Sequence, residues 1–120
     1  MIKRYIEVQI VKEGCHRYPA AETDPKLADV DYLANRHFHY FYITVKIEVF
    51  HNDRCLEFQQ FRRYLEKLYN QGILEIDFKS CEMLAEDLIG TLSRTYPDRD
   101  MSIRVFEDNI NGAELVYTVD

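Results

Sequence analysis

The stretch NRHFHYFYITVKIEVF, residues 35–50, decides how the rest of the chain is read. From residue 37 it alternates in the manner of a strand, and its β-branched and aromatic content favours that assignment. Side chains on a strand point to alternate faces, so His37 and His39 share a face with Phe41, Ile43, Val45, Ile47 and Val49. Two imidazoles therefore lead into an apolar row. Their α-carbons fall roughly 6.5 to 7 Å apart, and one Zn²⁺ with bonds of about 2.0 to 2.1 Å can sit between such rings. The competing reading is a pair of solvated histidines at a strand end, because two ligands are only part of a three- or four-ligand site.

On either side of this stretch the patterns define a small α+β domain. Residues 2–12, IKRYIEVQIVK, place Ile2, Arg4, Ile6, Val8 and Ile10 on one face of a first strand. Residues 13–36 carry two prolines and no sustained period, which reads as a long loop with a short helical turn near residues 25–31. A loop of this length in a compact domain is usually functional. After the turn HND at 51–53, Phe58, Phe61, Leu65 and Leu68 form a helical stripe, with Gly72 as the stop. A second helix starts at an N-cap Ser80, carries Glu82 in its first turn, buries Met83, Leu84, Leu88 and Leu92, and ends before Pro97. MSIRVFED and AELVYTV read as two further strands, with Asn111-Gly112 as a hairpin signal.

The expected order is β-β-α-α-β-β, an antiparallel sheet with two helices on one face and open outer strands that invite pairing between subunits. The 120 residues fit a single domain, 1–120. A net charge of -6 with scattered lysines and arginines argues against nucleic acid as a partner. Three cysteines without paired spacing, no signal peptide and no long apolar run point to a reducing cytoplasm and away from a membrane.

His16, in EGCHR at 13–17, stands at the end of the first strand, where an antiparallel neighbour brings it to the start of the second. Three imidazoles with an open fourth position suit a ligand-polarising zinc, whereas a mere loop histidine is the bland alternative. Glu107 continues the face of Ile103 and Val105, and either exits to solvent or meets a ligand through two parallel N–H donors.

Taken in order, EGCHR at 13–17, HFH at 37–39, CLEF at 55–58, SCEMLA at 80–85 and VFED at 105–108 resemble the 6-pyruvoyl-tetrahydropterin synthase family, which includes 6-carboxy-tetrahydropterin synthase. The resemblance runs over nearly the whole chain. It implies the tunnelling fold, in which subunits extend each other's sheets into a barrel, as a trimer or hexamer with sites between subunits. It further implies zinc on His16, His37 and His39, a pterin or purine-like heterocycle held at its pyrimidine edge by Glu107, and ligand contacts from the helix start at Ser80 and Glu82.

The chain departs from that family where the chemistry is concentrated. Leu33 stands four residues before the His-x-His, where the family carries a catalytic cysteine, and NQGILEIDF offers Glu75 and Asp77 but no Asp-His pair. Cys81, in the first turn of the second helix, is the candidate catalytic replacement, since a helix dipole lowers a thiol pKa, although Glu82 opposes it. Two functions follow as expectations: a zinc-dependent lyase with altered catalytic residues, or a non-catalytic ligand-binding or assembly protein.

Overall fold

The computed structural model describes residues 1–119. Strand β1 (Arg4–His16) pairs antiparallel with β2 (His37–Val49), which pairs antiparallel with β4 (Met101–Phe106), and β4 with β5 (Gly112–Tyr117). A further strand, β3 (Leu74–Asp77), lies parallel to β1 on its other side, so the sheet is mixed, in the order β3-β1-β2-β4-β5. This corrects the all-antiparallel order expected from sequence. Leu-Glu-Ile-Asp is at the short limit for a strand, and its alternation is too brief to separate it from a connection. Its two apolar residues, Leu74 and Ile76, are nonetheless buried in the core.

Helices α1 (Phe58–Leu68) and α2 (Cys81–Thr95) cover one face. Phe61 and Leu65 from α1, with Ala85, Leu88 and Leu92 from α2, join Ile43, Val45, Ile47, Ile103 and Val105 in one apolar cluster. The strand residues in that cluster are the alternate ones, as the period of two requires. Phe58 and Met83, expected inside, are exposed at the edges of their helical stripes. Glu57 caps α1 by accepting from the backbone N–H groups of Gln59 and Gln60, and Ser80 caps α2 by accepting from Met83 N at 3.1 Å.

Three boundaries differ from the sequence reading. β1 begins at Arg4, leaving Ile2 outside it and 72% exposed. It also runs four residues further, because Glu13 to His16 pair with Tyr40 to His37. The connection to β2 is shortened accordingly, and it folds into two 3-10 segments, Pro19–Glu22 and Pro25–Ala34. Finally, Gly112 is the first residue of β5, opposite Phe106, rather than part of a two-residue turn. The turn is held by Asp108, whose carboxylate accepts from the backbone of Ile110 and Asn111. Glycine is required at 112 for space: a Cβ there would collide with the Phe106 ring and the Val105 carbonyl.

At the far end of the sheet the two chain ends are tied together. Lys3 Nζ lies 2.9 Å from Glu48 and 2.8 Å from Asp100, and Asp100 also accepts from Val119 N at 2.8 Å. The Lys3 ammonium holds both carboxyls below their ordinary range, and they in turn raise Lys3. Depressed carboxyls give stability that is present above their unfolded values and is lost as pH falls through the folded ones. Lys3, being raised, loses its contribution only on the alkaline side. Lys3→Met is therefore expected to lower the unfolding temperature at neutral pH and to flatten its decline below about pH 4. Parallel wild-type and variant melting curves from pH 7 to pH 3 would show the staple to be inert.

Candidate metal centre

Antiparallel pairing of β1 with β2 sets His16 opposite His37 and Gly14 opposite His39. All three histidines point to the helix-covered face, because each is in phase with the apolar row of its strand. Their rings meet edge to face, with centroids 4.6 Å (His16–His37), 5.1 Å (His16–His39) and 4.9 Å (His37–His39) apart. The fully buried Phe41 supports the cluster from below, 5.3 Å from the His16 ring and 5.8 Å from the His39 ring. Gly14 makes room for Phe41, since a Cβ at 14 would stand 2.8 Å from its ring.

Backbone carbonyls fix which nitrogen of each ring is free. A carbonyl can only accept, so His37 Nδ1 donates to the Asn35 oxygen at 2.7 Å and His16 Nδ1 donates to the Lys79 oxygen at 3.3 Å. Both rings then keep a lone pair on Nε2, in the arrangement by which outer partners orient metal-binding histidines. Burial also pushes the His16 pKa down, which favours the neutral ligand form, with the neighbouring His37 and His39 acting in the same sense.

The decisive feature is what the nitrogens lack. Among the described residues, His16 Nε2 and His39 Nε2 are the buried side-chain polar atoms without a hydrogen-bond partner. Orphaned buried nitrogens are costly, on the order of 1–3 kcal/mol each. One ligand atom from each of the three histidines lies within 4.8 Å of the others. A tetrahedral metal needs its ligand atoms about 3.3 to 3.4 Å apart at bonds of 2.0 to 2.1 Å, so modest closure of the rings suffices. The cluster can hold a metal ion, and the donor set of imidazoles suits zinc.

The cleft beside the cluster has a volume of about 550 Å³. His16 and His37 form one wall, and the start of α2 forms another through Ser80, Cys81 and Glu82. Glu107 lines it too and does not exit to solvent: Oε2 is 3.3 Å from His16 Nε2 and 3.6 Å from His39 Nε2. Of the candidate site residues, His16, His37, Ser80, Cys81, Glu82 and Glu107 thus share one cleft, and His39 joins them through the ring cluster.

The electrostatics of Cys81 run against the helix-dipole expectation. Its thiol is pushed up to about 11 by burial first, then by the negative charges of Glu107, Glu82 and Asp108. At neutral pH it stays protonated. Leu33 lines the cleft as an apolar wall. Glu75 lies outside it, exposed and paired with Arg36 at 2.6 Å, and Asp77 is also exposed. Cys15 is buried and lies on the sheet face opposite the histidines, as strand alternation dictates.

The sequence reading missed the carbonyls of Asn35 and Lys79, which orient two of the rings. Backbone groups leave no trace in residue identity, so only the loop positions beside each strand end could have suggested them. No helix of the described residues is long and apolar enough to cross a membrane. No protein-family model matches the chain, and no curated protein is significantly similar to it.

Proposed function

We propose that this chain is a zinc-dependent binding protein for a pterin or related purine-like heterocycle, built on the tunnelling fold and similar to 6-pyruvoyl-tetrahydropterin synthase. The observation that carries the reading is the pair of buried, partnerless Nε2 atoms converging beside a cleft large enough for a small planar ligand. In this reading His16, His37 and His39 hold the ion, which when bound supplies Lewis-acid polarisation of a ligand carbonyl or hydroxyl. Glu107 accepts from adjacent N–H donors of the heterocycle, and Ser80 and Glu82 shape the entrance at the helix start. The edges of β3 and β5 extend the sheet into neighbouring subunits, giving a trimer or hexamer with the clefts between chains.

Binding is favoured over turnover by three local facts: Leu33 lines the cleft where the family has its cysteine, Asp77 and Glu75 stand outside it, and Cys81 is a protonated thiol. Lyase chemistry that begins with proton abstraction needs a positioned base besides the metal, and burial holds the Cys81 thiol in its protonated form. The test is thermal unfolding of the zinc-loaded protein with a panel of pterins and purines, alongside product analysis with dihydroneopterin triphosphate. A zinc-dependent rise in unfolding temperature with no product supports the binder. Product above the buffer control moves the assignment to a lyase, and no shift with any ligand removes the heterocycle from the account.

A further inference from the structure

We infer that Glu107 is itself a metal ligand, so that the resting site is a closed four-coordinate set of three imidazoles and one carboxylate. The inference rests on the metal-binding reading above and changes what the site is before a ligand arrives. Glu107 Oε2 stands 3.3 Å from His16 Nε2 and 3.6 Å from His39 Nε2. A charge-assisted N–H···O⁻ bond would draw these atoms to about 2.7–2.9 Å. Neither contact is a hydrogen bond, since both nitrogens lack a partner.

The separation from His16 matches the edge of a coordination tetrahedron, about 3.3–3.4 Å for bonds of 2.0–2.1 Å, and that from His39 is slightly longer. The ligand atoms that lie within 4.8 Å of one another are those of the three histidines, so the carboxylate closes toward His37 when the ion binds. His16 Nε2 carries a free lone pair, because its Nδ1 donates to the Lys79 oxygen, and the Glu107 oxygen stands at coordination-edge distance from it. A cation beside them relieves the electrostatic repulsion between the His16 lone pair and the anionic oxygen.

Chain placement supports the same role. Glu107 is one residue beyond β4, on the face of Ile103 and Val105, and its backbone N–H donates to the Asn111 oxygen at 3.1 Å. The residue is thus held by the β4–β5 turn rather than swinging freely. Carboxylate ligation has a functional consequence: an incoming ligand must displace Oε2 from the metal before it can coordinate. Glu107 then becomes available to accept ligand N–H groups, which couples entry of the heterocycle to opening of the coordination sphere.

Cobalt(II) in place of zinc tests this, because its visible spectrum reports ligand identity. The full chain loaded with Co²⁺ is expected to give a four-coordinate spectrum that is constant from pH 6 to 9 and unchanged by added azide. In Glu107→Gln a water takes the vacated position; metal-bound water ionises near neutrality, so the spectrum becomes pH-dependent and responds to azide. Zinc affinity is expected to fall at least about 10-fold in the same variant, more than loss of a remote charge would give. A wild-type spectrum that already shifts with pH and azide, and that Glu107→Gln leaves unaltered, overturns the carboxylate ligand while leaving the three-histidine site standing. Failure of the wild-type chain to take up either Co²⁺ or Zn²⁺ overturns the metal reading as a whole.

Discussion

His39→Leu is expected to abolish tight zinc binding while leaving the metal-free protein at least as stable as metal-free wild type. Loss of an outer partner of a ligating histidine already weakens a metal about 10–100-fold, so removing a ligand should exceed about 100-fold. The stability half of the expectation is the more discriminating one. His39 Nε2 is buried and unpaired, and taking such an atom out of the interior relieves on the order of 1–3 kcal/mol. A ligand that binds only the native state adds about 2.7 kcal/mol at a hundred times its dissociation constant. Zinc should therefore raise the unfolding temperature of wild type and not of the variant. Thermal melts of both proteins, with and without zinc, measure all four states. A histidine kept for packing would give the reverse pattern: a destabilised variant and no zinc effect in either protein.

Phe41→Ala should give the largest loss of stability of any single change near the site, about 3–5 kcal/mol. Phe41 is fully buried, lies over Gly14 and carries the His16 and His39 rings on its edge. Removing it leaves a cavity under two ligands, so zinc affinity should fall together with stability. Leu65→Ala is the matched comparison, since Leu65 is equally buried but sits on α1 and does not line the cleft. It should cost about 2–5 kcal/mol and leave zinc affinity unchanged. Phe41→Leu covers the case in which the alanine variant does not fold. Denaturant unfolding paired with zinc titration separates the two effects, and equal affinities in the Phe41 and Leu65 variants would show that Phe41 supports only the core.

The elements legible in the sequence are those whose signal is periodic or paired. Alternation alone placed His37 and His39 on the core face, and antiparallel logic alone brought His16 to them. Ser80 could be read as a cap because the hydroxyl stands three residues before the N–H it accepts from. β3 could not be read: four residues carry too little alternation, and its partner, β1, is remote in sequence and parallel. The last residues of β1 were hidden by Gly14 and Cys15, whose types do not favour a strand; they are held by pairing on both sides.

The site divides along the same line. The convergence of His16, His37 and His39 was legible from strand phase, but not the state of Cys81, which depends on burial and on carboxylates that include Glu107 and Asp108 from the β4–β5 connection. The inward turn of Glu107 likewise depends on β4 pairing with β2, which sets its carboxylate over the histidines. A carboxylate at the end of a strand points to solvent or to a site according to its neighbours across the sheet, and those are fixed only by register.

Anomalous X-ray diffraction from crystals grown with zinc, recorded on both sides of the zinc absorption edge, would locate the ion on the chain. One peak per chain is expected, about 2.0–2.1 Å from the Nε2 atoms of His16, His37 and His39. A zinc-loaded crystal with no peak among the three rings, or with its zinc bound elsewhere on the chain, would contradict that expectation.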